Sequence, residues 1–381
     1  MSTGSTCLTK NKKILYIENQ ATARASNFYI AALQASKLMG WDFHLTYKCL
    51  DYNEQEIDDV EKNLELKFHN IDFYRNPIHP GNIKAFHQLN KLIMEEQFDV
   101  IHCNTPVGGV LGRIAAKRNK TANVLYQAHG FHFFEGAPLL NWLLYYPVEK
   151  ILARITDVII TINKEDYLFA LKHLRPRSKV YYVPGVGIEL DKWNTSCDLR
   201  SEFGFDDDDF LILVVGRLEK NKNCLMIIDA ISEIDDENVK LVFCGDGEDR
   251  QILEERSRKL GKRVRFLGNQ NNMPGIYHMA DCFVLASFRE GLSRSIMEAM
   301  ACGLPCVVSD IRGNGDLIDE QGGFLFSPYK TEALRDNIAK LYKSKELRQQ
   351  MKIHNLKKIK QFSLSRVVNE IVKIYKDIPE Y

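Results

Sequence analysis

CFVLASFREGLSRSIMEAMACGLPCVVSD, Cys282 to Asp310, reads as one strand–helix–strand unit. CFVLAS is an apolar run of strand length. FREG breaks it with charge and a glycine. From Leu292 to Ala301 the apolar residues recur at helical spacing, and Ser293 stands where an N-capping serine would. GLP then stops the helix and CVVSD resumes a strand. Strands joined through a helix run parallel, and a parallel sheet must be covered on both faces.

The same alternation extends outward in both directions. Strand candidates are ILYIE (14–18), DFHLTYK (42–48), FDVIHCN (98–104), NVLYQAH (123–129), DVIITIN (157–163) and VYYVPG (180–185). After Pro184 the pattern restarts with FLILVVGRL (210–218), KLVFCGD (240–246), VRFLG (264–268), CFVLAS, CVVSD and GFLF (323–326). Helical periods such as Ile252 to Leu260 lie between them. Two such series predict an α/β protein of two doubly wound parallel-sheet domains, with ligand at the carboxyl ends of the strands. The boundary falls near PGVGIELDKWN (184–194). A chain of 381 residues suits two cores.

Composition narrows the classes. With 45% hydrophobic and 27% charged residues the chain is globular, and a formal net charge of +1 argues against a general grip on nucleic acid. The start, MSTGSTCLTKNKKILYI, lacks a signal-peptide core, and no apolar run approaches the ~20 residues that span a bilayer. The nine cysteines are scattered without a CxxC pair. They read as reduced core residues of a cytoplasmic protein. The acidic run Asp206 to Asp209 reads as a solvated turn.

Chemistry concentrates in the opening stretch. The amides of Gly291, Leu292, Ser293 and Arg294 point out of a helix N-terminus, which favours an anion. Glu298 lies inside that helix and Glu290 on the loop before it, with seven residues between them. An anion flanked by two carboxylates that accept from hydroxyls describes a sugar nucleotide. The bland reading, a loop charge and an exposed helix charge, fits the spacing equally. A second stretch, VVGRLEKNKN (214–223), ends a strand at Gly216 and follows it with Arg217 and Lys222, two cations suited to a diphosphate.

VVGRLEKNKN followed by REGLSRSIMEAMACGLPCVVSD resembles the retaining family 4 glycosyltransferases of GT-B fold, through a strand–GR–x4–K segment and the E-x7-E element. FDVIHCNTPVGGVLGR (98–113), AHGFHFFEGAPLLNWLLYYPVEKILAR (128–154) and ITINKEDY (160–167) resemble the bacterial exopolysaccharide and capsule transferases. The resemblance implies two Rossmann-like domains facing a cleft. Residues 1–188 would bind acceptor and 189–362 the nucleotide-sugar donor, while a last helix in 363–381, amphipathic through Val367, Ile371, Val372 and Tyr375, would pack back on the first domain. It implies that Glu298 holds the ribose, Glu290 contacts the donor sugar, and Arg217 and Lys222 neutralise the diphosphate. Leu267, Gly268 and Asn269 would read the base edge, and His129 would face the donor sugar, with His132 as a competitor. The donor would be a UDP-sugar and the acceptor a polyprenyl-diphosphate-linked glycan, with no metal and no other cofactor.

The chain departs from this pattern in two places. The loop after the first strand, ENQATARASNF (18–28), has no glycine, so Asn19 and Arg24 take no assigned role. Ser293-Arg294-Ser295 stands where relatives often carry proline. Trp142, Leu143, Tyr145, Tyr146, Lys150 and Arg154 in one amphipathic segment, with a basic cluster of Arg113, Lys117, Arg118 and Lys120, predict peripheral association with the anionic inner face of the cell membrane. The same aromatics also read as core. Three rival readings stay open. One is a dinucleotide oxidoreductase, from the partial glycine motifs GVGIEL (185–190) and GDGEDR (245–250). Another is a noncatalytic nucleotide-sugar-binding partner of a transferase, and the third an epimerase or hydrolase on the same fold.

Overall fold

The computed structural model describes residues 11–21, 28–49, 54–121, 123–174, 176–177, 179–194 and 199–378. The chain divides into two compact units, Met1–Val186 with Ser365–Tyr381, and Gly187–Leu364. The divisions lie two residues from the 188 and 362 expected from sequence.

The first unit is a seven-stranded, all-parallel sheet. Its strands are β1 (Lys13–Ala21), β2 (Asp42–Cys49), β3 (Lys67–Asn70), β4 (Val100–Asn104), β5 (Asn123–Ala128), β6 (Val158–Thr161) and β7 (Lys179–Tyr182), in the order β3-β2-β1-β4-β5-β6-β7. The central strands β4, β5 and β6 are buried at every position, as near-continuous apolar runs covered on both faces must be. Strand β3, KFHN, is absent from the sequence prediction. It is an edge strand, half exposed, and carries no apolar run to signal it. Its His69 lies 2.9 Å from His44 of β2.

The helix Leu364–Lys376 belongs almost wholly to this unit. It buries Val367, Val368, Ile371, Ile374 and Tyr375, while Val372 is only half-buried, so the buried stripe is centred one position away from the expected one. Tyr375 stacks on Trp41 with ring centroids 5.1 Å apart, and its hydroxyl meets His102 Nδ1 at 2.9 Å.

The second unit is a six-stranded parallel sheet of β8 (Phe210–Val215), β9 (Val239–Cys244), β10 (Val264–Gly268), β11 (Cys282–Leu285), β12 (Cys306–Ser309) and β13 (Gly323–Phe326), in the order β10-β9-β8-β11-β12-β13. Strand β8 sends Phe210, Ile212 and Val214 into one core and Leu211 and Leu213 into the other, the period-2 alternation of a strand covered on both sides. The opening stretch forms β11, the helix Arg294–Ala301 and β12, with Phe283 opposite Cys306. Gly303, at φ 75°, ends the helix as a left-handed cap. Ser293 occupies the N-cap position, but its hydroxyl meets Ser295 Oγ at 3.1 Å instead of capping a first-turn amide.

Cys103, Cys224, Cys244, Cys282, Cys302 and Cys306 are buried and free. Asp206, Asp207 and Asp208 are exposed on a turn, whereas Asp209 is buried and lies 3.5 Å from Lys240. In each sheet the strand order reverses once, between β1 and β4 and between β8 and β11. Such switch points are where doubly wound sheets bind ligands.

Candidate functional site

At the switch point of the second unit two loops leave β8 and β11 side by side. Gly216 ends β8 at φ 145°, a conformation L side chains rarely adopt. The chain then makes a single 3-10 turn at Lys220–Lys222, closed by Asn223 in the left-handed region. This turn is stitched to the loop after β11. Phe288 N–H donates to the Asn221 carbonyl (2.9 Å), and Asn221 Nδ2 donates to the Arg289 carbonyl (3.0 Å). Lys222 Nζ donates to Glu290 Oε1 at 2.7 Å, with side-chain exposures of 18% and 14%. Arg312 donates to the Glu290 carbonyl from the same side (3.3 and 3.2 Å). A partly desolvated ion pair is weak evidence for stability. Its position at the switch point makes it a candidate ligand contact.

Glu298 is equally constrained. Tyr277 hydroxyl donates to its Oε2 (2.9 Å) and Arg294 Nε to its Oε1 (3.0 Å), with 13% of the side chain exposed. Burial pushes the Glu298 pKa up, while Arg294 and Tyr277 pull it back. Burial, followed by the neighbouring carboxylate, holds the Tyr277 phenol well above its ordinary value, so it stays a donor. Gly291 and Leu292 are half-buried and Ser293 buried ahead of this helix. A Cβ at Gly313 would collide with the Gly291 carbonyl, so the loop is held by close backbone contact.

The other predicted donor residues are placed differently. Arg217 is 62% exposed and pairs with Glu248 (3.0 Å) and Glu219 (3.6 Å). Lys222 is therefore the cation brought to Glu290, and Arg217 is turned away to other carboxylates. Leu267, Gly268 and Asn269 end β10, two strands from β8 in the sheet. The Gly268 carbonyl accepts from Gly245 N–H (2.8 Å) and the Leu267 carbonyl from Gln270 Nε2 (2.6 Å), leaving Asn269 exposed.

In the first unit His129 follows β5. Its Nε2 donates to Asn104 Oδ1 at the end of β4 (2.9 Å), and its buried Nδ1 has no partner. The Phe28 ring lies 4.6 Å away, centroid to centroid. Burial pushes His129 down to about 4, so its ring is neutral at pH 7. Thr105, next to Asn104, has φ 61° and ψ 157°, a region essentially reserved for glycine. Thr105, Tyr126, His129, His132 and Tyr145 line a cavity of about 220 Å³. His132 stacks on Tyr145 (4.6 Å). Both candidate histidines thus face one cavity, and Asn104 fixes the ring of His129.

The family whose model is described as glycosyl transferases group 1 matches residues 197–358, and the family described as glycosyl transferase 4-like matches residues 13–163. EpsD of Bacillus subtilis, itself assigned as a glycosyltransferase, is 35% identical over 360 residues, 91% of this chain and 92% of that one. The chain belongs to the group 1 glycosyltransferases. A second relative of this group 1 chain, at 31% identity over 310 residues (78% of this chain and 80% of that one), is the Escherichia coli UDP-Gal:alpha-D-GlcNAc-diphosphoundecaprenol alpha-1,3-galactosyltransferase. Among solved structures, HepE of Anabaena in complex with UDP superposes with a TM-score of 0.78 at 19% identity, covering 96% of this chain and 99% of that one. That likeness establishes the GT-B fold.

Several site residues of this glycosyltransferase carry little sequence signal. Tyr277 sits 21 positions from Glu298 and is recognisable only in space. Asn221 was legible in principle, since asparagine in a charged turn commonly bonds backbone. Asn104 gives no local cue. Asn19 is buried and its Oδ1 accepts from Gly108 N–H, a structural role at the start of the helix Pro106–Arg118, while Arg24 lies outside the described residues.

Two expectations about the surface are corrected. Arg113 is buried, not part of a basic surface cluster. Its guanidinium bonds both oxygens of Glu149 (2.8 and 3.0 Å) and lies 3.9 Å over the Tyr126 ring. Trp142, Tyr145 and Tyr146 pack against the core of the first unit and do not form an outward aromatic face.

Proposed function

We propose that this glycosyltransferase is a retaining enzyme that moves a sugar from a UDP-sugar to a hydroxyl of a polyprenyl-diphosphate-linked glycan, in the synthesis of exopolysaccharide, capsule or a related cell-surface polysaccharide. The observation that carries the reading is the Lys222–Glu290 pair at the β8/β11 switch point, beside the helix that holds Glu298. The Escherichia coli relative, named for a diphosphoundecaprenol-linked acceptor and a UDP-Gal donor, supports the donor and acceptor classes.

In this reading Glu298 accepts from the ribose hydroxyls. The amides of Gly291 to Ser293 and the Lys222 ammonium take the diphosphate. Glu290, released from Lys222 when phosphate arrives, accepts from the donor sugar. Breaking the glycosyl–phosphate bond builds positive character on the sugar and negative charge on the leaving diphosphate. Lys222, Arg217 and the helix N-terminus stabilise the latter. The acceptor hydroxyl enters on the face the leaving group vacates, and the departing phosphate takes its proton, so configuration is retained without a dedicated base. His129, neutral and fixed by Asn104, presents an acceptor nitrogen to a sugar hydroxyl. Leu267 to Asn269 lie beside the base. In this reading protein cations replace a divalent ion, and turnover should persist in EDTA. The enzyme works at the inner face of the membrane, where its acceptor is anchored.

A thermal-shift comparison of UDP, GDP and ADP tests the donor class, with the largest stabilisation expected from UDP. Transfer from UDP-sugars to a lipid-diphosphate sugar, with the product anomer read by NMR, tests the rest. An inverted product, or a shift by GDP alone, would sink the reading.

A further inference from the structure

The helix Leu139–Ala153 is apolar on both flanks. Its inner flank, Trp142, Tyr145, Tyr146, Glu149, Leu152 and Ala153, faces the first unit's core. Its outer flank exposes Leu139 (73%), Leu140 (62%), Leu143 (64%), Leu144 (56%), Val148 and Ile151 (64%). A helix apolar all round needs a partner on every side. Rotation cannot hide these leucines. The buried bidentate pair between Arg113 and Glu149 fixes the helix to its neighbour Pro106–Arg118, and the Phe169 ring locks Trp142 and Tyr146 from the other side (5.6 and 5.7 Å).

The flanking helices share this character. Strands β4 to β7 are laid down in one direction, so right-handed crossovers put their connecting helices on one face of the sheet. Pro106–Arg118 exposes Ile114, and Lys164–His173 exposes Leu168 and Leu171. At the carboxyl ends of these three helices Lys117, Arg118, Lys150, Arg154 and Lys172 are exposed. Of the acidic residues on these three helices, Glu149 and Asp166 are buried and Glu165 is half-buried.

We propose that this three-helix face is a docking surface for anionic phospholipid, with Leu139–Ala153 lying in the plane of the interface and its leucines among the acyl chains. The proposal rests on the membrane-side activity given above and names the face that would deliver it. Charge complementarity selects the bilayer. Apolar side chains bordered by cations at the carboxyl ends of the helices match acyl chains beneath anionic headgroups. A second copy meeting the same face across a twofold axis would set these cations against one another. The aromatic residues anchor the helix to the protein body and leave insertion to the leucines.

Flotation of the full chain with vesicles of phosphatidylethanolamine and about one-third phosphatidylglycerol tests this, with UDP thermal shift run in parallel on every variant. The wild-type chain co-floats at low salt. The double variant Leu143→Glu/Leu144→Glu loses binding by about tenfold or more, because two apolar side chains no longer enter the interface. Lys117→Glu/Arg118→Glu loses less, and about 0.5 M salt weakens wild-type binding without abolishing it. All variants keep the UDP shift. Failure of the wild-type chain to float, or undiminished flotation of the leucine variant, overturns the proposal. So does a wild-type dimer that the leucine variant converts to monomer without any flotation, which would make the face a self-association surface. Absence of the UDP shift from the wild-type chain breaks the donor reading and leaves the docking result standing.

Discussion

Both units place polar groups at the carboxyl edge of a parallel sheet, but they arm that edge in opposite ways. In the second unit every key charge already has a partner: Lys222 with Glu290, Glu298 with Tyr277 and Arg294, Arg217 with Glu248. In the first unit the groups are neutral and under-satisfied. His129 Nδ1 and Asn104 Nδ2 are buried without partners, and Thr105, directly after β4, sits in a strained conformation. A site of paired charges suits a charged ligand that exchanges partners with them. A site of neutral, unpaired groups suits hydroxyls. Under the proposed function, the charged edge of the second unit would take the diphosphate and the neutral edge of the first unit hydroxyl groups.

That comparison can be broken most forcefully in the first unit, where the large charge pair is structural. Glu149→Ala leaves Arg113 buried and unpaired, and a loss of about 3–5 kcal/mol in the stability of that unit is expected by denaturant titration. UDP binding to the native variant should survive. A variant as stable as wild type would mean that the pair does not hold this part of the fold.

In the second unit the corresponding change should strike function. Lys222→Ala removes the cation of the site, and kcat/KM should fall by about 10²-fold or more. Glu298→Gln removes a charged acceptor and should weaken UDP binding about tenfold, read by calorimetry. Wild-type kinetics from Lys222→Ala would dismantle the distinction between the units.

Acid should separate them next. Burial, helped by His129, pushes His102 down to about 3, and burial pushes His129 down to about 4. The unfolded chain titrates near the ordinary 6.5 and binds more protons below it. Stability of the first unit is therefore full above about pH 6.5 and falls by about 1.4 kcal/mol per pH unit for each of these histidines as pH drops toward 4. Glu298 has the opposite sign, since its raised pKa makes folding less costly as pH falls. Hydrogen exchange at pH 7 and pH 5 should show protection lost first in the first unit. Earlier loss in the second unit would reverse the comparison.

The smallest effect is expected at Arg217. Its exposed pairs add little to stability, so Arg217→Ala should leave Tm unchanged while turnover drops by up to about tenfold in a salt-sensitive way. A lowered Tm would show that its pairing with Glu248 is structural.

Sequence legibility followed the same division. Among the described residues, twelve of the thirteen strands are readable because buried parallel strands are continuous apolar runs, whereas β3, exposed on one edge, leaves no such run. Lys222 and Glu290, read from the sequence as neighbours of one anion, do meet across the β8/β11 switch point, because each lies in a short loop that follows its strand. Tyr277, the partner of Glu298, and Asn104, the partner of His129, come from other strands and helices, and no local spacing carries that information. The segment 138–154 is legible as amphipathic, but the sequence leaves open whether its aromatics face the core or the outside; the structure packs them on the core. Aromatic residues fill core gaps with more contact area, and leucine is left outside. Arg113 was misplaced for a related reason. A cation in a basic run reads as solvated until the carboxylate 36 residues away is seen beneath it.

The most direct test is a crystal soaked with UDP. The diphosphate should lie against the amides of Gly291 to Ser293 with Lys222 Nζ turned from Glu290 toward it, and the ribose hydroxyls should donate to Glu298. UDP bound elsewhere, with the Lys222–Glu290 pair intact and that loop empty, would contradict the account.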